Sequence, residues 1–267
     1  MPTVEVEGDR LHVARSGVGS SVLLLHGTTS SHAHFDDLVV EIGNGFDLIR
    51  PDLPGFGRTG PRSDRDYSIS RYVRTIIALM DSLEVSRFAV VGNSLGGNIA
   101  WNLALTVPDR ITALVLVNAT GYPEKSLPRG MRLARNPLIG TLMRRGMPRP
   151  LVARGLREAV GAQTSVTPSL IDRVHRDWNR PGNAAAFVDF CSTDQLDRST
   201  LIPQISTPTM VLRSSSIDAQ HFADDIPDAA ERVHPAGGHL LPEEQPRWVA
   251  EQIVPFLHTK TEEATAP

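Results

Sequence analysis

Ten residues, Phe88-Ala89-Val90-Val91-Gly92-Asn93-Ser94-Leu95-Gly96-Gly97, set an apolar strand, a G-x-S-x-G turn and a helix start in immediate succession. A serine at the apex of so sharp a turn holds a strained backbone. The residues two before and two after it must be tiny for strand and helix to pass each other, and Gly92 and Gly96 meet that need. Asn98-Ile99-Ala100-Trp101-Asn102-Leu103-Ala104-Leu105 then continues with helical periodicity. The pattern predicts that Ser94 stands on a nucleophile elbow; the plainer reading is a glycine-rich helix cap.

The rest of the chain alternates strand and helix signals. Val4-Glu5-Val6 and Leu11-His12-Val13 flank Glu7-Gly8-Asp9-Arg10, which predicts a hairpin. Val22-Leu23-Leu24-Leu25 is a continuous apolar run ending at His26-Gly27, as expected of a strand buried on both faces. Strands are also expected at Asp47-Leu48-Ile49-Arg50, Ile111 to Val117, Met210-Val211-Leu212 and Glu231 to His234, with helices near Tyr72 to Leu83, Leu95 to Val107 and Pro246 to Leu257. Such alternation implies an α/β fold with a mostly parallel sheet and helices on both faces. From Gly121 to about Asp197 no convincing strand occurs, so 121–197 reads as a helical cap inserted after the sixth strand. Residues 1–120 and 198–260 then form the core, and 261–267 a flexible tail.

Composition narrows the partners. The chain has 267 residues, 40% hydrophobic, with net charge −3 and a single cysteine, Cys191. An internal disulfide and a multi-cysteine metal site are excluded, and the balance of charge gives no argument for nucleic acid. No stretch approaches the roughly 20 apolar residues of a membrane span, and the first residues lack the apolar core of a signal peptide, so a cytoplasmic location is expected. From Gly121 to Val160 nine basic residues (Lys125, Arg129, Arg132, Arg135, Arg144, Arg145, Arg149, Arg154 and Arg157) face two acidic ones, Glu124 and Glu158. That net +7 leaves −10 for the remainder. A basic cap over an acidic body could attract an anionic substrate, a carrier protein or an anionic surface; the plainer reading is a solvated helical surface.

A serine hydroxyl is a weak nucleophile and needs a histidine to accept its proton. Of nine histidines, His239 is the best placed, in the loop Gly237-Gly238-His239 after the last strand and before Pro242-Glu243-Glu244-Gln245-Pro246. His26, at a strand end, is expected to orient its loop, and His12, His175, His221, His234 and His258 to be exposed bystanders. Two backbone N–H groups should face a developing oxyanion: that of Leu95, at a helix start, and that of Thr28, after the His26-Gly27 strand end. His32-Ala33-His34 with Asp36 and Asp37 could ligate zinc, but reads more simply as a helix start. No metal and no cofactor is expected, since the G-x-G-x-x-G phosphate fingerprint is missing.

These residues carry a family resemblance over nearly the whole chain. His26-Gly27-Thr28-Thr29 resembles the oxyanion loop of α/β-hydrolase fold enzymes, and Asp52-Leu53-Pro54-Gly55-Phe56-Gly57 their glycine-rich turn. Gly92-Asn93-Ser94-Leu95-Gly96-Gly97 resembles their elbow, and Gly238-His239-Leu240-Leu241-Pro242-Glu243 their histidine loop. Asn93, the segment Val117 to Pro123, and Arg180-Pro181-Gly182-Asn183-Ala184-Ala185 resemble lipase/esterase-like members. Meta-cleavage C–C hydrolases share the Asn-Ser elbow but carry a tryptophan after the histidine, where this chain has Leu240. The resemblance implies a serine hydrolase acting on a carboxylic ester or related acyl bond through an acyl-enzyme, with a small-molecule substrate. It departs from the family at the acid. After the seventh strand the family has a Trp-Gly-x-x-Asp type segment, and this chain reads Arg213-Ser214-Ser215-Ser216-Ile217-Asp218. Asp218 is the expected acid through a shifted loop. An acid from elsewhere and a site without one remain alternatives, and Asn118 at the sixth strand's end is not a carboxylate. The alternatives to ester hydrolysis are C–C bond hydrolysis, a biosynthetic reaction in the same pocket, and a non-catalytic ligand-binding protein.

Overall fold

Glu7 and Gly8 both take positive φ, 48° and 85°, and so turn β1 (Thr3–Val6) back onto β2 (Asp9–Ser16) with Val6 opposite Asp9. The computed structural model in which this hairpin stands describes residues 3–124, 128–217 and 221–265. The hairpin forms one edge of an eight-stranded sheet completed by β3 (Ser20–Leu25), β4 (Phe46–Pro51), β5 (Phe88–Asn93), β6 (Ile111–Val117), β7 (Thr209–Ser214) and β8 (Ala230–His234). The order is β1-β2-β4-β3-β5-β6-β7-β8. The β1–β2 and β2–β4 pairs are antiparallel and the other five are parallel.

The helices are α1 (Asp36–Ile42), α2 (Ile69–Ser82), α3 (Leu95–Thr106), α4 (Arg129–Ala134), α5 (Pro137–Met143), α6 (Arg149–Ala159), α7 (Pro168–Trp178), α8 (Asn183–Ser192), α9 (Phe222–Asp225), α10 (Leu241–Glu244) and α11 (Pro246–Thr265). Tyr72, Val73, Ile76, Leu79 and Met80 recur on one face of α2, which Ser68 caps by accepting from the Arg71 N–H, and that face joins α3 on one side of the sheet. On the other side, Phe35, Leu38 and Ile42 meet Val249, Ile253 and Leu257 of α11. Covered on both faces, β3, β5 and β6 read as continuous apolar runs rather than alternating ones. From β3 the chain passes to β4 on one side, and the sheet later resumes with β5 on the other. The order thus reverses between β3 and β5, which opens a crevice at their carboxyl ends.

Between β6 and β7 stand α4 to α8, with no strand among the described residues. Ala134, Ala186, Phe187, Val188 and Cys191 of this region pack in one cluster with Leu53, Phe56 and Trp101 below, so the cap and body share a core. Val152, Ala153, Leu156 and Ile171 form a smaller cluster between α6 and α7. The final helix continues to 265, beyond residue 260 where the sequence predicts a flexible tail. No proline or glycine interrupts it after Pro255, and buried Thr261 returns its hydroxyl to the Leu257 carbonyl at 2.7 Å. His12 is buried, not exposed as expected, because its N–H and carbonyl bond Thr59 and Asp52 and so hold the loop that follows β4 against β2.

Candidate active site

Ser94 stands between β5 and α3 with φ 56° and ψ −114°, a conformation that non-glycine residues rarely hold and that must be enforced by its surroundings. The glycines explain the enforcement. A Cβ on Gly92 would strike the Gly96 carbonyl, one on Gly96 would strike the Leu25 carbonyl, and one on Gly97 would sit 2.5 Å from the Ala119 Cβ. Strand, turn and helix therefore pack backbone on backbone, and the serine side chain is carried to the carboxyl end of the central strand.

His239 arrives from 145 residues later in the chain. Its Nε2 lies 2.8 Å from Ser94 Oγ, the geometry for a histidine to accept the hydroxyl proton. The peptide groups around it are all engaged. The His239 N–H donates to the Ala159 carbonyl at 2.7 Å. The His239 carbonyl accepts from Asn93 Nδ2 at 3.1 Å, and the Gly238 carbonyl from Asn118 Nδ2 at 2.9 Å and Ser214 Oγ at 2.6 Å. Glu244 accepts from the N–H groups of Gly238 and Leu240. Asn118 also accepts the Ser214 N–H at 2.9 Å. A carboxylate at 118 would set its charge against the Gly238 carbonyl, so this position calls for an amide and not an acid. Sequence reading passed over Asn93, Asn118 and Glu244 as site-shaping residues; the one available signal was Glu244, four residues after Leu240 at a helix start.

Gly27 brings the loop after β3 close to Ser94, since a Cβ there would lie 3.1 Å from the Ser94 Cβ. Thr28 is half-buried beside it, and Thr29 takes a positive φ of 59° that turns the loop away. Leu95 is the first residue of α3, so its N–H has no carbonyl one turn back to bond within the helix. Buried His26 braces this loop: its Nδ1 lies 2.7 Å from the Gly27 carbonyl, and its Nε2 accepts the Leu53 N–H at 2.9 Å. Burial pushes its pKa down to about 4, against the opposing pull of Asp52. The ring is therefore neutral with Nδ1 protonated, as the two bonds require.

Asp52 is the hub of the neighbouring turn. Its carboxylate accepts from the His32 N–H, from His32 Nδ1 at 2.8 Å and from the Arg58 N–H at 2.7 Å. Burial works to raise its pKa, but the hydrogen bonds it accepts from His32 outweigh that and hold it below the ordinary value. The zinc grouping considered from sequence does not assemble. His32 turns to Asp52, His34 to Glu243 at 3.2 Å, and Asp36 to Arg50 at 2.6 Å. His12, His32 and Asp52 do bring ligand-type atoms within 4.8 Å of one another, with His32 bonded to Asp52 and His12 Nε2 buried without a hydrogen-bond partner.

Asp218 lies outside the described residues, as does Lys125 of the basic cap. Asp225 accepts the Tyr122 hydroxyl at 2.7 Å and so ties α9 to the entrance of the cap. A void of about 10 Å³, lined by Thr29, Ser30, Phe56, Trp178, Asn183 and Phe187, lies between the loop after β3 and helices α7 and α8.

Residues 20–246 match the family model described as the alpha/beta hydrolase fold. The chain belongs to this family. Among its relatives is the uncharacterized hydrolase YugF of Bacillus subtilis (strain 168), 23% identical over 244 residues that cover 89% of each chain. Among solved structures, the epoxide hydrolase CorEH superposes with a TM-score of 0.86 at 18% identity, covering 97% of this chain and 98% of that one. A thermophilic esterase from Thermogutta terrifontis superposes with a TM-score of 0.82 at 23% identity, covering 97% and 99%. At these identities the two superpositions establish the shared α/β-hydrolase fold, not a shared reaction.

Proposed function

We propose that this α/β-hydrolase cleaves a carboxylic ester or related acyl bond through an acyl-enzyme on Ser94. The observation that carries the reading is the 2.8 Å contact between His239 Nε2 and Ser94 Oγ on a strained elbow. His239 takes the hydroxyl proton as Oγ attacks the carbonyl carbon, and the N–H groups of Leu95 and Thr28 receive the oxyanion. The proton passes from His239 to the leaving alcohol. Water then repeats the cycle on the acyl-serine and releases the acid. Asp218 is assigned to orient His239 and stabilise its imidazolium. The substrate assigned to this site is a small acyl compound. The basic cap is assigned the attraction of anionic substrates or carriers, and the protein is assigned to the cytoplasm.

The identity of the nucleophile separates this reading from epoxide opening. A serine oxygen that opened an epoxide would be left as an ether, which water and a histidine base cannot cleave, whereas its attack on an ester gives a second ester that they can. C–C hydrolysis shares the Ser-His pair, and the Leu240 position supports it less well.

The test is covalent. A fluorophosphonate probe should label Ser94 in the native protein and leave Ser94→Ala unlabelled. Asp218→Asn should label and turn over p-nitrophenyl butyrate orders of magnitude more slowly, as expected when a triad loses its acid. Failure of folded native protein to label would remove the nucleophile from the reading. Wild-type rates in Asp218→Asn would remove that acid.

A further inference from the structure

Every backbone N–H and C=O from Gly238 to Leu240 is bonded, and one carboxylate, that of Glu244, serves four donors in two different parts of the molecule. Its Oε1 accepts the Leu240 N–H at 3.0 Å. Its Oε2 accepts the Gly238 N–H at 3.1 Å, the Gly161 N–H at 2.7 Å and the Thr164 hydroxyl at 2.8 Å. Gly238 and Leu240 flank His239. Gly161 and Thr164 belong to the cap, in the segment joining α6 to α7.

We propose that Glu244 is a positioning residue that couples the cap to His239, so that the 159–164 segment acts as a fixed strap on the general base and not as part of a swinging lid. Three further observations point the same way. The His239 N–H itself donates to a cap carbonyl, that of Ala159, at 2.7 Å. A Cβ on Gly161 would strike the Ala236 carbonyl, and one on Gly238 would sit 2.6 Å from the Ala159 carbonyl oxygen, so the two segments touch backbone to backbone with no room for side chains. Neighbouring Glu243 ties the same helix start to the cap a second time, through Arg173 of α7, and to the oxyanion-loop side through His34. A carboxylate holding four donors is at its acceptor capacity, and bonds to a charged acceptor are the stronger kind. Loss of either cap donor therefore loosens the group that fixes both neighbours of His239.

This inference rests on the proposed role of His239, and its test separates the two. Glu244→Gln keeps the shape but turns an amide NH2 against N–H donors, so one side of the bridge must open. Thr164→Val removes only the hydroxyl at the cap end. Both full-length proteins are compared with the native one by amide hydrogen exchange over 236–241 and by fluorophosphonate labelling. The expected result for Glu244→Gln is exchange faster by tenfold or more in this loop. Labelling should slow by a similar factor, with kcat on p-nitrophenyl butyrate reduced and KM near native. Thr164→Val should show the same changes at smaller size. Native exchange in both variants overturns the strap. Faster exchange with native labelling and kcat leaves Glu244 a structural tie and overturns its positioning role. If native protein does not label at all, the ester reading fails, and the exchange comparison alone still decides whether Glu244 holds the loop.

Discussion

At the scale of single residues, the site is built by groups whose charge state the fold dictates. His26 is the clearest case, because its two ring nitrogens are spoken for only in the neutral form and burial lowers its pKa to about 4. In the unfolded chain the value is the ordinary 6.5, so between pH 6.5 and 4 the unfolded chain holds a proton that the folded chain refuses. Stability from this group is complete above pH 6.5 and declines as the pH falls to 4. The decline amounts to about 3 kcal/mol, because each tenfold change in proton affinity between the two states is worth roughly 1.4 kcal/mol. Urea denaturation at a series of pH values should show this slope, and His26→Asn should show a shallower one whatever its absolute stability. Equal slopes in the two proteins would mean that His26 is not held neutral. Glycines act through space in the same deterministic way. Gly96→Ala must displace the Leu25 carbonyl and should lower the urea midpoint sharply or prevent folding, by the severe steric route that single substitutions seldom take. Gly155, in the middle of α6 with nothing within 4 Å of a built Cβ, is the control: Gly155→Ala should stabilise by about 0.5–1 kcal/mol.

At the scale of elements, the β5–turn–α3 unit and the loop between β8 and α10 carry the proposed nucleophile and the proposed base. The first packs backbone against backbone at three glycines, Gly92 on Gly96 within the unit and Gly96 and Gly97 on Leu25 and Ala119 of its neighbours. The second has no such local enforcement. Its conformation is set by side chains from elsewhere: Asn93 at the end of β5, Asn118 after β6, Ser214 at the end of β7, and Glu244 at the end of α10. Apart from Glu244, these residues stand at the carboxyl ends of neighbouring parallel strands. The parallel arrangement therefore serves the site as well as the core, by delivering polar termini to one edge. Asn93 reads in sequence as part of the elbow and Asn118 as a strand end, but nothing beside any of the four names the loop it will hold.

At the scale of the whole molecule, the cap is part of the same folding unit as the body, because residues of α4 and α8 share an apolar cluster with α2, α3 and the glycine-rich turn. Cys191, the single cysteine, sits in α8 within that cluster, and burial pushes its thiol up to about 12. It should therefore be inert to a thiol reagent such as DTNB in the native state, since reactivity follows the thiolate and its access. Its exposure under denaturant then reports on the cap alone, while far-ultraviolet circular dichroism reports on the whole. The two midpoints should coincide in urea. Cys191 reacting at a distinctly lower urea concentration would show the cap opening independently of the sheet.

What the amino-acid sequence determined by itself was whatever is written in short range: the hairpin at Glu7-Gly8, the apolar strands in their order, the elbow at Ser94 and the strand-free stretch after β6. Strand periodicity and turn chemistry are local, so they survive reading without a structure. The membership of the α/β-hydrolase family follows from the order of these local signals along the chain. Only the tertiary structure decided which polar groups meet. Ser94 and His239 are 145 residues apart, Glu244 and Gly161 are 83 apart, and His12 is buried through a loop 47 residues away. A hydrogen bond is satisfied by any suitable donor that packing brings within about 3 Å, and nothing in a donor's own neighbourhood names its acceptor. The partners are therefore fixed by packing across the sheet, not by the segments that carry them.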